Sequence, residues 1–121
     1  MSTPVLAPAE PVTATLTPLQ RWRAILRDGR DALRAEFETH ADTKALLHGH
    51  ARLVDRVVRG VWSELRAPSH LALLAVGGFG RGELYPHSDV DVLVLLTDPA
   101  DDTVARFVEQ LIGLLWDVGL E

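Results

Sequence analysis

Residues 77–96 read GGFGRGELYPHSDVDVLVLL, and this stretch decides how the chain is organised. A continuous apolar run, Leu71 to Val76, precedes it, and a second apolar run, Val90 to Leu96 with Asp91 inside it, ends it. Short apolar runs bounded by glycine are typical of strands that are buried on both faces. The stretch therefore predicts two buried strands joined by a glycine-rich turn and a short polar segment.

Helices are predicted on both sides of the strands. Thr17, Pro18 and Gln20 form a helix-start signal in which Thr17 caps and Gln20 completes a capping box. A second helix is predicted from near Asp42, and a third is predicted to open at Asp98-Pro99. The predicted order is helix, helix, strand, glycine turn, strand, helix, which indicates an α/β fold with an α+β layout.

The chain divides into a tail and a structured region. Residues 1–16 are rich in proline, alanine and threonine without a hydrophobic period, which predicts a disordered tail. Residues 17–121 are expected to form the structured part. Trp22, Trp62 and Trp116 lie on apolar helix faces and are predicted to be core residues.

Composition indicates which kinds of partner the chain is not expected to bind. The chain has 121 residues and a formal net charge of -5, which disfavours non-specific nucleic-acid binding because that needs a basic surface. There are no cysteines, so disulfides and thiolate metal sites are excluded and a cytoplasmic location is expected. The apolar runs are too short to cross a bilayer, and no signal peptide is apparent. We expect neither a nucleic-acid nor a membrane partner.

The chemistry is expected at Asp89 and Asp91. Side chains two residues apart on a strand point to the same face, so both carboxylates are predicted to converge on one point. Two such anions repel each other unless a divalent cation lies between them. Mg²⁺ prefers oxygen ligands and usually keeps positions for water and substrate phosphates. The pair therefore predicts a magnesium site that also receives a nucleoside triphosphate.

Four neighbouring residues complete the candidate site. Gly77 and Gly78 end the first strand, where glycine lets the backbone approach a ligand closely, and ordinary turn glycines are the alternative. Arg81 either braces a phosphate oxygen or pairs with Glu83 or Asp89. Ser88 is expected to cap or orient the aspartate strand.

Other polar residues are given structural interpretations. His87 follows Pro86 and is interpreted as a turn residue, and His48 and His50 are expected to face different directions rather than bind zinc together. Two rows of arginines at helical spacing are interpreted as solvated faces, with a docking surface for an acidic partner as the lesser alternative. The rows are Arg23, Arg27, Arg30 and Arg34, and Arg52, Arg56 and Arg59.

The ordered set of Gly-Gly, Gly-Arg-Gly and Ser-Asp-x-Asp resembles the signature of the nucleotidyltransferase superfamily related to DNA polymerase β. In detail it is similar to the family of bifunctional PII uridylyltransferase/uridylyl-removing enzymes, as is the ending Leu115 to Glu121. The resemblance implies a partial nucleotidyltransferase fold, Mg²⁺ as cofactor and UTP as donor. It also implies a tyrosine hydroxyl of the PII signalling protein as acceptor, with Gly77 and Gly78 at the triphosphate and Asp89 and Asp91 at the metals.

The sequence departs from that family in one respect. Such enzymes take a third carboxylate from a later strand and carry further domains, none of which these residues include, so the fragment is expected to be impaired alone. The alternatives are an adenylyltransferase of the same superfamily, acting on a protein or a small molecule, and a non-catalytic nucleotide- or metal-binding module.

Overall fold

The computed structural model describes residues 16–99 and 101–120. The tail prediction for residues 1–16 therefore lies outside the described residues, except at Leu16. Six elements follow one another: α1 (Pro18–His40), α2 (Thr43–Glu64), β1 (Leu71–Ala75), α3 (Gly77–Gly80), β2 (Val92–Leu96) and α4 (Asp102–Val118). This order confirms the predicted mixed α/β layout, and α3 is a single turn inside the predicted glycine-rich segment.

The ends of the helices follow from their capping residues. The predicted capping box is confirmed, because Thr17 Oγ1 accepts from Gln20 N at 3.1 Å and Gln20 Oε1 accepts from Thr17 N at 2.9 Å. The second helix begins near Asp42 as predicted, and Asp42 is its capping residue. The predicted opening of the last helix at Asp98-Pro99 is wrong, since Asp101 accepts from Val104 N at 2.9 Å and α4 begins after it.

The core lies where α1, α2 and α4 meet, with α2 and α4 supplying most of its aliphatic side chains. One stripe of α4 is buried, and its members recur every three or four residues: Val104, Phe107, Leu111, Leu115 and Val118. Trp116 falls one position outside that stripe and is 66% exposed, so its predicted core role is wrong. Trp22 and Trp62 are half-buried against the core, and Trp62 packs edge-on against Phe107.

One exposed arginine of the first row also binds a neighbouring helix. Arg23 donates from Nε and Nη2 to the carbonyl oxygen of Asp117 at 3.0 and 2.7 Å. The last carbonyls of a helix carry partial negative charge, so this contact fastens the end of α4 to α1. Arg23 and Arg27 are exposed, as the solvated-face interpretation predicts, whereas that interpretation is wrong for Arg30, which is half-buried.

The two strands pair antiparallel, with Leu71 opposite Leu96 and Ala75 opposite Val92. Only one face of this ribbon is packed against the helices. On the other face Leu74 and Leu93 stand opposite each other and are 42% and 47% exposed. The prediction of strands buried on both faces is therefore wrong for the described residues, because the helices cover a single side of the pair.

None of the helices in residues 16–99 and 101–120 combines the length and the apolar character needed to cross a membrane.

Candidate functional site

The strand register brings Asp91 to the glycine turn. Continuing the register by one residue makes Val76 the partner of Asp91, and Val76 N donates to Asp91 O at 3.1 Å. Gly77 follows with φ of +61°, and Asp91 Oδ2 lies 3.0 Å from the point where a β-carbon on Gly77 would stand. The carboxylate of Asp91 therefore lies close to the backbone of the first glycine.

Asp89 and Asp91 are both exposed on the segment that leads into β2. Residues two apart on an extended segment share a face, and Asp91 shares its face with the exposed Leu93. Within residues 16–99 and 101–120, no group of three His, Asp or Glu side chains is arranged to hold a metal ion. The convergence of Asp89 and Asp91 on one ion therefore stays a prediction.

The turn α3 is closed by its own backbone. Val76 O accepts from Gly80 N at 2.9 Å, and Gly78 O accepts from Glu83 N at 2.9 Å. The first helical hydrogen bond of this turn is the one that Gly80 N donates. The N–H groups of Gly77, Gly78 and Phe79 precede it, and no backbone carbonyl among the described residues accepts from them. Phe79 is 6% exposed, so the turn is anchored on the core by one aromatic side chain.

Arg81 is exposed at the end of this turn. Its backbone N–H donates to Gly77 O at 3.1 Å. In the described part of the chain its guanidinium forms no ion pair with Glu83 or Asp89, so the structural pairing considered from the sequence is not formed. The phosphate-bracing role stays a prediction.

Ser88 and His87 belong to one turn before the aspartates. Ser88 N donates to Tyr85 O at 3.1 Å, and no hydrogen bond of the Ser88 hydroxyl occurs among the described residues. His87 has φ of +66° directly after Pro86, an arrangement in which proline precedes a left-handed residue as in a type II turn. The interpretation of His87 as a turn residue is confirmed.

Sequence reasoning missed a buried polar network behind the site. Arg30 Nε donates to His50 Nε2 at 3.2 Å, and His50 Nδ1 lies 3.1 Å from Leu84 O. His50 is 2% exposed, whereas His48, two residues earlier, is only half-buried, so the two histidines do face different directions. The available signal was that His50 occupies an apolar position of α2.

Burial lowers the pKa of His50 below its ordinary value of 6.5. The hydrogen bond with Leu84 O opposes this effect by raising the pKa, while the nearby Arg30 and His87 lower it further. The neutral imidazole is thus the form that this environment favours.

The family model described as "Putative nucleotidyltransferase DUF294" matches residues 23–121, and the chain belongs to this family. The match confirms the resemblance inferred from residues 77–96.

Curated relatives are consistent with this assignment. The chain is 50% identical over 99 residues to the "Bifunctional uridylyltransferase/uridylyl-removing enzyme" of Aromatoleum aromaticum, which covers 82% of this chain and 12% of that protein. The protein of the same name from Chromobacterium violaceum is 41% identical over 91% of this chain and 13% of its own length. The chain therefore spans about an eighth of the length of these relatives. No solved structure matches it.

Proposed function

We propose that this chain is the donor-nucleotide part of a uridylyltransferase, which transfers UMP from UTP to a tyrosine hydroxyl of the PII signalling protein and releases pyrophosphate. The observation that carries the proposal is the position of Asp91 Oδ2, which lies 3.0 Å from the point where a β-carbon on Gly77 would stand. It places a carboxylate beside the turn that is proposed to receive the triphosphate. The names of the relatives support uridylyl transfer as the reaction.

The donor set fits Mg²⁺. Asp89 and Asp91 are exposed carboxylates on one segment, and two oxygen ligands leave positions for water and phosphate oxygens. When bound there, Mg²⁺ supplies charge neutralisation for the leaving pyrophosphate and favours the deprotonated form of the attacking hydroxyl. We propose Asp89 and Asp91 as its ligands.

The other residues of the site are proposed to position the nucleotide. Gly77 and Gly78 allow the phosphates to approach the backbone, and Arg81 offers donors to a phosphate oxygen. Ser88 orients the aspartate segment. In the reaction the tyrosine oxygen forms a bond to the α-phosphorus, the bond between the α-phosphorus and the bridging oxygen breaks, and pyrophosphate leaves in line. A cytoplasmic location goes with the proposal, since the sequence contains no cysteine.

The proposal is tested by nucleotide binding to the chain. Isothermal titration with Mg·UTP is expected to show binding that the double variant Asp89→Asn/Asp91→Asn loses. Glu83→Gln is the matched control, because it removes an exposed carboxylate from the same loop and is expected to bind normally. Equal affinity in the double variant and the unaltered chain would overturn the site.

Two further measurements separate the alternatives. Competition between UTP and ATP distinguishes a uridylyltransferase from an adenylyltransferase, with preference for UTP expected. Transfer from α-labelled UTP to PII is measured for the chain alone and for the chain joined to the remaining part of one of the curated relatives. Binding without transfer in both forms would indicate a non-catalytic nucleotide-binding module.

A further inference from the structure

Leu84 fastens the loop between α3 and β2 to α2. Its side chain is 2% exposed, its N–H donates to Leu47 O at 3.3 Å, and its carbonyl oxygen lies 3.1 Å from His50 Nδ1. Leu47 and His50 are one turn apart on α2, so both polar groups of the Leu84 backbone bind the same helix. Within residues 83–91 these are the only hydrogen bonds to α1, α2 or α4 in the described chain.

Arg30 decides which nitrogen of His50 carries the proton. An arginine Nε is always a donor, so His50 Nε2, 3.2 Å away, must accept. A neutral imidazole has one N–H group, which must then lie on Nδ1 and donate to Leu84 O. The neutral state is the one that makes both contacts, since a protonated imidazole cannot accept from Arg30.

Leu84 lies between the glycine turn and the aspartate segment along the chain. On one side, Glu83 N donates to Gly78 O and ties the loop to the glycine turn. On the other side, the exposed turn from Tyr85 to Ser88 leads directly to Asp89. The Leu84 backbone therefore sets where the aspartate segment starts relative to the glycine turn.

We propose that His50, oriented by Arg30, is a positioning residue for nucleotidyl transfer that acts through the Leu84 carbonyl. This inference rests on the proposed function, because it assigns His50 to the geometry of that same site. Residues that orient metal ligands from behind typically affect metal affinity by about 10- to 100-fold.

Two substitutions of His50 each keep one of its two hydrogen bonds and remove the other. In His50→Asn the amide nitrogen falls near the place of Nδ1 and can still donate to Leu84 O. In His50→Gln the amide falls near the place of Nε2, so the Arg30 contact can persist while Leu84 O loses its donor. Val57→Ala is the matched control, since Val57 is fully buried on the same helix and contacts neither partner through a hydrogen bond.

The quantity measured is the affinity of the 121-residue chain for Mn·UTP. Electron paramagnetic resonance of free Mn²⁺ reports this affinity, and each variant is measured at a temperature below its unfolding transition. We expect His50→Gln to bind about 10-fold more weakly, as for other residues that support metal ligands. His50→Asn is expected to recover most of the affinity, and Val57→Ala to keep it while losing stability. Long-range ¹H–¹⁵N correlation spectra are expected to show the Nδ1–H form of His50.

The outcomes separate the two proposals. If the unaltered chain binds Mn·UTP and His50→Gln binds it equally well, the positioning role is overturned and the proposed function stands. The role is also overturned if His50→Gln and Val57→Ala lose affinity to the same extent, or if the spectra show the proton on Nε2. If the unaltered chain does not bind Mn·UTP, the proposed function fails and the positioning role fails with it.

Arg30→Met provides a second variant if His50→Gln does not fold. It leaves the Leu84 contact in place but removes the donor that orients the imidazole. A mixture of His50 tautomers and weaker Mn·UTP binding are expected. A pure Nδ1–H form with unchanged affinity contradicts the role of Arg30 and, with it, the proposal.

Discussion

Asp91 Oδ2 lies 3.0 Å from the point where a β-carbon on Gly77 would stand, although 14 positions separate the two residues along the chain. The contact results from the antiparallel register, which pairs Val76 with Asp91 and so sets the carboxylate beside the next residue. Gly77 adopts φ of +61°, a region where a side chain is strained in any case. A residue with a side chain at this position would therefore have a strained backbone and would also crowd the Asp91 carboxylate.

Gly77→Ala is expected to destabilise the chain by about 1–2 kcal/mol through the left-handed backbone alone. It is also expected to weaken Mg·UTP binding, because the new methyl group displaces the Asp91 carboxylate. Urea unfolding and isothermal titration measure the two effects.

Gly113→Ala is the control for this substitution. Gly113 is exposed in α4 with no neighbouring atom near the place of its β-carbon, so alanine is expected to stabilise the chain by roughly 0.5–1 kcal/mol and to leave binding unchanged. Equal nucleotide affinity in both variants would argue against a role for the contact between Gly77 and Asp91.

The packing of α1 on α2 depends on Gly60. A β-carbon built there would lie 2.0 Å from Trp22 Cζ2. Gly60→Ala is expected to cost about 1–3 kcal/mol in the free energy of unfolding, because the indole must move within a packed interface. In a double-mutant cycle, Trp22→Leu is expected to relieve much of that cost, whereas strictly additive losses would place the strain elsewhere.

Stability is expected to depend on pH through His50. Folding lowers the pKa of His50 below its ordinary value of 6.5. As the pH falls, His50 therefore binds a proton in the unfolded state before it does so in the folded state. The stability that neutral His50 contributes is therefore fully present above about pH 6.5 and declines as the pH falls toward the folded-state pKa. Urea unfolding between pH 7.5 and pH 5 is expected to show a steeper loss for the unaltered chain than for His50→Asn. Parallel profiles would contradict this assignment.

Arg23 is expected to matter more for stability than Arg27. Arg23 donates two hydrogen bonds to the carbonyl at the end of α4, at 3.0 and 2.7 Å, whereas Arg27 pairs with its exposed neighbour Asp28. Arg23→Met is expected to cost about 1 kcal/mol, and Arg27→Met is expected to cost close to nothing. Thermal unfolding of the two variants provides the comparison, and an Arg23→Met variant as stable as the unaltered chain would show that the α4 contact contributes little.

Much of the local structure could be predicted from residue pattern. Thr17 and Gln20 cap α1 as expected, and α4 ends at Gly119, whose φ is +118°. These signals are readable because each depends on residues that are within one turn of each other. The error at Asp98-Pro99 arose because Asp101, a few residues later, offers an equally good cap and is the one used.

The order of the elements, the glycine turn and the candidate aspartates could be predicted from the residue pattern, because these depend on neighbours along the chain. The exposure of Trp116, the coverage of one face of the ribbon, and the network of Arg30, His50 and Leu84 follow from how the elements pack in the fold. Those outcomes depend on which surfaces meet in space. Hydrophobic periodicity shows that a face can be buried, but the packing of the other elements determines whether it is covered.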